Sequence, residues 1–378
     1  MIRIEPDFIP TVLDDLTAQG ASDIQFRTNQ PPLICLHGLW KPMIEYAPLT
    51  ATDIEAIHAK ICRDDRWQTF PEHGPWDADY RTSSQTNNFR VSAGKEQGRL
   101  YLVLRPLPRE TPTFEHLKTL DDLIGAPDRS SHIQGAFIRA LSAKRGLVLV
   151  TGATGSGKST TLAACVEYLN LHHHYNIITI EDPTEFTFRS KKSQVIQRET
   201  GVDTGSFSSA LRAALRQKPN VILVGEMRDA ETMEAAFRAA STGHLVLSTM
   251  HNNEVVQVIE RITNEFPPEQ QNRVKFQLSE VLVGVFAQQL LPTLTGGRQV
   301  VHEVMLLDQP TRALLRGEDY QQALRDALRV KNDVGNRLMD EEILRCYQEQ
   351  LISEDVAMEF AINPMQLEKD LHKPQVSR

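Results

Sequence analysis

The sequence predicts an α/β protein built largely on a parallel β-sheet, and two observations carry that expectation. First, Leu147–Thr161 reads L-V-L-V-T-G-A-T-G-S-G-K-S-T-T, an apolar strand running into a phosphate-binding loop. Gly152, Gly157, Lys158 and Ser159 satisfy G-x-x-x-x-G-K-[ST], with residues after them able to continue as a helix. Second, apolar strand candidates at Leu147–Thr151, Asn176–Glu181, Val221–Val224 and Leu245–Thr249 alternate with helical segments such as Ser208–Gln217 and Ala230–Ser241. Such alternation builds a parallel sheet covered by helices on both faces, with ligands outside the carboxyl ends of the strands.

Taken in order, residues 1–108 mix short strand-like runs (Ile24–Phe26, Leu33–Leu36, Phe89–Ser92, Leu100–Leu104) with helical stretches near Pro10–Gln19 and Thr52–Cys62. A turn-rich tract at Pro71–Asn88 favours an antiparallel α+β module. Arg105–Thr113, with three prolines in R-P-L-P-R-E-T-P-T, resists both helix and central strand, which places an interdomain linker at 109–113. The strand-helix alternation occupies 114–292. After Pro292, residues 293–378 read mainly as short helices (Thr311–Arg316, Tyr320–Val330, Asp340–Leu351, Ser353–Phe360), with the last dozen residues loosely ordered.

Composition bounds the function. The 378 residues suffice for two or three cores, and a net charge of −8 argues against nucleic acid as the main ligand, because such proteins carry a basic face. No apolar run is long enough to span a bilayer and the first residues lack a signal-peptide stretch, so a cytosolic protein without a transmembrane segment is expected. Cys35, Cys62, Cys165 and Cys346 never form a C-x-x-C pair and read as isolated thiols. His172–His174 read as a solvated helix terminus rather than a metal site, since no acid or thiol accompanies them.

The loop residues Gly152, Ala153, Thr154, Gly155, Ser156, Gly157, Lys158, Ser159 and Thr160 are the candidate ATP-binding set. Glycines let consecutive N–H groups turn onto the phosphates, and the following helix offers its positive N-terminal end. Lys158 reaches the β- and γ-phosphates and Ser159 holds Mg²⁺. At the end of the second strand stand Glu181, Asp182 and Glu185, carboxylates that can hold Mg²⁺ or order the loop around it; Glu181 joins Ser159 as a metal candidate. The third strand runs into Gly225–Glu226 where an aspartate is usual, which makes Glu226 the candidate general base. His244 and His251 bracket the fourth strand, and either can contact the γ-phosphate.

These segments together resemble the secretion ATPase superfamily of type II/IV secretion and type IV pili, and within it the type IV pilus retraction ATPase (PilT) family. The resemblance rests on the Walker A box at Gly152–Ser159, the aspartate box at Ile180–Phe186 (I-E-D-P-T-E-F), the atypical Walker B at Ala210–Asp229 and the histidine box at Thr242–His251. It is most specific over Lys144–Val283. A-S-D-I at Ala21–Ile24, P-P-L at Pro31–Leu33 and H-G-L-W at His37–Trp40 are similar to the PAS-like domain of such proteins. Two departures stand out: Gln25 follows Ile24 where the family has histidine, and its A-I-R-N-L-I-R-E-G signature survives as P-T-R-A-L-L-R-G-E at Pro310–Glu318.

The resemblance implies an α/β fold with a RecA-like P-loop NTPase core, an N-terminal PAS-like α+β domain and a helical C-terminal region. It implies a homo-oligomeric, hexameric ring that hydrolyses ATP with Mg²⁺, and an N-terminal hairpin whose arginines complete the site. Asn88–Arg105 is similar to that hairpin, with Arg90, Arg99 and Arg105 as candidates. Pilus retraction follows, with an inner-membrane platform protein and a paralogous pilus ATPase as partners. The alternatives are a Dot/Icm-type secretion ATPase, a nucleic-acid motor, or a weakly hydrolysing regulatory subunit. A missing tetracysteine zinc element and the lack of a long leader domain ahead of the N-terminal module are expected to stand against an assembly or export ATPase.

Overall fold

The computed structural model describes residues 1–36, 39–62, 78–107, 110–117, 133–330 and 335–372. The chain divides into two compact units, Met1–Glu110 and Thr111–Arg378.

In the first unit, helices α1 (Ile9–Ala18) and α2 (Ala51–Ile61) accompany six strands: β1 (Asp23–Phe26), β2 (Leu33–Leu36), β3 (Leu39–Pro42), β4 (Ala78–Ser83), β5 (Asn88–Glu96) and β6 (Arg99–Leu107). They form one antiparallel sheet in the order β3-β2-β1-β6-β5-β4. Phe89, Val91 and Ala93 of β5 and Leu100, Leu102 and Leu104 of β6 point inward, onto Leu13 and Leu16 of α1 and Ile54 and Ile57 of α2. The residues between them face solvent, the alternation expected of a sheet with one covered side.

Two expectations need correction here. The tract Pro71–Asn88 is not all turn: Ala78–Ser83 pairs along β5, so its strand character comes from the partner backbone rather than its own apolar content, while 71–77 lie outside the described residues. The proline-rich segment starts later than Arg105, since β6 continues through Pro106 to Leu107. Pro106 is tolerated because β1 pairs only as far as Leu104, leaving the missing N–H without a ladder to break.

The second unit holds strands β7 (Gly146–Thr151), β8 (Asn176–Glu181), β9 (Gln194–Glu199), β10 (Val221–Val224), β11 (Leu245–Thr249), β12 (Leu282–Pro292) and β13 (Arg298–Leu306). Their order is β13-β12-β7-β11-β10-β8-β9, parallel throughout except for the β12/β13 hairpin. Successive residues of β7 serve opposite cores. Val148 and Val150 pack with α3 (Ile133–Leu141) and α4 (Lys158–His172), while Leu147 and Leu149 join the core under α5 (Phe207–Ala214), α6 (Ala230–Ser241), α7 (Val255–Asn264) and α8 (Pro268–Val281). The α6 helix starts on the Asp229 side chain, which accepts from Thr232 N–H, a first-turn cap that fixes where β10 hands over to helix.

Beyond Pro292 the helical reading meets a strand first. β13 pairs with β12 from Gly284 to Pro292, so the boundary at Pro292 falls inside a hairpin. The helices follow: α9 (Gln309–Leu315), α10 (Tyr320–Val330), α11 (Met339–Gln348), α12 (Glu354–Phe360) and α13 (Pro364–Leu371). The last of these continues into the dozen residues read as loosely ordered, holding helix to Leu371, and 373–378 lie outside the described residues. The four cysteines are buried free thiols.

Candidate functional site: a phosphate loop and the strand ends around it

The loop between β7 and α4 has the conformation its glycines permit. Gly152, Gly155 and Gly157 take φ of 144°, 80° and 89°. At Gly152 a Cβ would stand 2.3 Å from the Gln288 carbonyl oxygen and 2.7 Å from Ser156 Oγ, so any side chain there would push β12 away from the loop. The buried Lys158 side chain folds back, its Nζ donating to the carbonyls of Gly152 and Ala153 at 2.8 Å each. Burial holds its pKa below the ordinary lysine value, and the carboxylates of Glu226 and Glu185 work against that depression. Ser159 and Thr160 open α4, both half-buried; Ala153, Thr154 and Gly155 are exposed and Ser156 is buried.

Gln288 on β12 was not legible as a site residue. It is almost fully buried and bridges the loop to its helix: Nε2 donates to Ser156 O at 2.5 Å and Oε1 accepts from Thr161 Oγ1 at 2.8 Å. Only the strand assignment of β12, which the apolar pattern did not provide, could have pointed to it.

The neighbouring strand ends converge on the same side. Gly225 follows β10, donates its N–H to Ile180 O at 2.7 Å and would hold a Cβ 3.3 Å from that oxygen, a tight contact at the position where the usual pattern has an acid. Thr249 Oγ1, at the end of β11, donates to Gly225 O at 2.6 Å and so ties the last turn of β11 to the Glu226 loop. Glu226 itself is 13% exposed. One oxygen meets Arg228 Nη2 at 2.5 Å, and the other lies 3.5 Å from His251 Nε2. Arg228 is largely exposed, so its hold on Glu226 is weak and exchangeable. The segment after His251 is fastened to the loop strand through Thr151, whose Oγ1 donates to Asn252 O and accepts from Asn252 N, both at 2.7 Å.

The acids after β8 take different places. Glu181 Oε1 accepts from Thr179 Oγ1 at 2.7 Å and Gln197 Nε2 at 3.2 Å. Asp182 and Glu185 are exposed, with Glu185 close enough to act on the charge of Lys158. The loop itself is held by β9, an element absent from the sequence reading: Glu199 accepts from Thr184 N, and Gln197 bonds the Phe186 and Phe188 backbone.

Two groups of expected residues lie elsewhere. His244 sits at the amino end of β11, opposite the phosphate loop. Its ring contacts Ala239 O at 3.0 Å and its carbonyl accepts from Gly146 N, so it closes the C-terminal end of α6 rather than reaching phosphate. A histidine on each side of a strand cannot serve one ligand, because the strand's length separates them. Arg90, Arg99 and Arg105 belong to the first unit, all on its exposed face; Arg90 stands opposite Arg105 in register, and Arg105 Nε bonds Asp23 at 2.8 Å. Among the described residues no three His, Cys, Asp or Glu side chains converge as a metal site, and no helix is long and apolar enough to cross a membrane.

Comparison with known proteins agrees with this geometry. A family model described as "Type II/IV secretion system protein" matches residues 4–350. The chain is 38% identical to the type IV pilus retraction ATPase PilT of Pseudomonas aeruginosa over 92% of its own length and 96% of that protein's. A crystal structure of the pilus retraction motor PilT with bound ADP superposes with a TM-score of 0.85 at 37% identity, covering 96% of this chain and 99% of that one. The DotB ATPase of Legionella pneumophila matches with a TM-score of 0.75 at 27% identity, over 94% and 96% of the two chains. The α/β architecture with a RecA-like core is thus that of a secretion ATPase, and the chain belongs to the type II/IV secretion system protein family, in its pilus retraction ATPase (PilT) branch.

Proposed function

We propose that this chain is an ATP-hydrolysing motor that works as a ring, hexameric by the family's pattern, and powers type IV pilus retraction. One observation carries the reading: at the carboxyl ends of β7, β10 and β11 a buried lysine, a nearly buried glutamate and a histidine converge on a glycine-shaped phosphate loop. ATP is held by Gly152–Thr160, with Lys158 leaving its two loop carbonyls for the β- and γ-phosphates. Glu226, freed from Arg228, accepts the proton of the attacking water, and His251 beside it orients that carboxylate or contacts the γ-phosphate. Ser159 and Glu181 are the protein groups that would hold Mg²⁺, which when bound would offset phosphate charge. Asp182 and Glu185 complete the acidic rim. Arg99 and Arg105, with Arg90 beside them, supply guanidinium charge to a phosphate as the nucleotide reacts.

The protein works in the cytoplasm, against an inner-membrane platform protein, with a paralogous pilus ATPase as a further partner. The DotB likeness favours a second reading, export through a related secretion machine, supported by the altered Pro310–Glu318 signature. Pilus retraction in a strain lacking this chain separates the two. The proposal expects retraction to be lost and restored by the intact gene but not by Lys158→Ala; normal retraction with failed protein export would favour the second reading.

A further inference from the structure

The parallel pairing of β12 with β7 ends at Ala287 against Thr151, so Gln288 is the first β12 residue to stand beside the phosphate loop rather than beside a strand. It touches the loop along its length. Its carbonyl oxygen closes on Gly152, 2.3 Å from where a Cβ would be, and its Nε2 lies 3.2 Å from the same position on Gly157. That Nε2 donates to Ser156 O, while Oε1 accepts from Thr161 Oγ1 in the first turn of α4. At 1% exposure, Gln288 makes these bonds away from water.

A loop that turns successive N–H groups onto a phosphate turns carbonyls the other way, into the protein. A buried carbonyl needs a donor and a buried hydroxyl proton needs an acceptor. Ser156 O and Thr161 Oγ1 require one of each, and a glutamine amide carries both on one plane. Both bonds are internal to the chain, so they reduce the ordering that a phosphate would otherwise have to impose on the loop. Reactant, transition state and product all use the same loop, so this help goes to binding rather than to the chemical step.

We propose that Gln288 is the positioning residue of the phosphate loop: it holds Ser156 and the first turn of α4 in the shape that receives phosphates, and so sets nucleotide affinity rather than the rate of the chemical step. The proposal rests on the reading of Gly152–Thr160 as the phosphate site. It gives β12, far along the chain from the loop, a part in capturing the ligand.

Calorimetry on the full-length protein with Mg²⁺, using ADP and a nonhydrolysable ATP analogue, tests it alongside steady-state turnover. Gln288→Leu keeps most of the bulk and loses both bonds; it should weaken both ligands by about tenfold or more, while turnover at saturating ATP falls by no more than about twofold. Gln288→Glu adds a pH readout that a merely space-filling role would not move. Its ionised carboxylate has no proton to give Ser156 O, so its affinity deficit relative to the intact protein should shrink about threefold or more between pH 8.5 and pH 6. Thr161→Val should reproduce part of the loss and Thr161→Ser recover it, which keeps the test open if a Gln288 variant fails to fold. Affinities within about twofold of the intact protein in both Gln288→Leu and Thr161→Val, a fall in saturating turnover as large as the fall in affinity, or a deficit in Gln288→Glu that ignores pH overturns the positioning role. Lys158→Ala separates the two levels of the argument. Full affinity there overturns the phosphate site itself, whereas lost affinity there with intact affinity in Gln288→Leu overturns the role of Gln288 alone.

Discussion

Strands β5 and β6 of the first unit bury every second side chain along most of their length, whereas β7, β10 and β11 of the second bury all of theirs. The antiparallel sheet therefore keeps a polar face along its strands, and it is there that Arg90, Arg99 and Arg105 stand. At β7, β10 and β11 the parallel sheet has no free face. Its chemistry is confined to the strand ends, where Lys158, Glu226 and His251 follow directly on β7, β10 and β11. Burial pattern thus decides where each unit can present charged groups.

The same substitution placed in both sheets sharpens that contrast most. Val148→Lys, at a fully buried β7 position, should cost about 4 kcal/mol or more and abolish cooperative unfolding, because an ammonium there has no partner. Ser92→Lys, on the exposed face of β5, should change stability by less than about 0.5 kcal/mol. Chemical denaturation of the two purified variants measures both, and equal costs would break the distinction.

A pH-dependent effect lies where a carboxyl group is buried on the edge hairpin. Glu303 of β13 accepts from Val255 N at 2.8 Å, and burial pushes its carboxyl up to about 8, with Glu254 and Asp340 adding to the rise and Arg325 opposing it. Its pKa is higher folded than unfolded, so the folded protein keeps a proton that the unfolded chain has released. This site's contribution therefore falls as pH rises from about 4.5 to 8. Glu303→Gln should remove that dependence and be more stable than the intact protein at pH 8.5 by roughly 4 kcal/mol, the two converging near pH 5. Parallel unfolding curves across this range would contradict the assignment.

Smaller still in stability is the exposed arginine face. Arg105→Ala removes an exposed pairing with Asp23 and should cost no more than about 0.5 kcal/mol. If the residue reaches a phosphate, turnover should nevertheless fall about tenfold or more with little change in ATP affinity. Unchanged turnover in both Arg99→Ala and Arg105→Ala would leave the polar face without a catalytic part.

The comparison also explains what could be read in advance. The β7 run and the phosphate loop were legible because fully buried strands are continuous apolar runs and the loop needs glycines at fixed spacing. β13 was not, because Gln299, His302 and Glu303, all buried, interrupt its apolar pattern. Nor was β9, a half-exposed edge strand reading Q-V-I-Q-R-E. The importance of Gln288 and the misplacement of His244 share a cause: both depend on which end of which strand faces the loop, a property of sheet order rather than of any motif.

The central claim, that the strand ends of the second unit perform the reaction with Glu226 as base, is tested most directly by measuring ATP affinity and steady-state turnover of purified Glu226→Gln side by side. An amide cannot take the water's proton, so affinity should stay within about twofold while turnover falls roughly a hundredfold or more. Near-normal turnover would contradict the claim and move the role to Glu181 or Glu185.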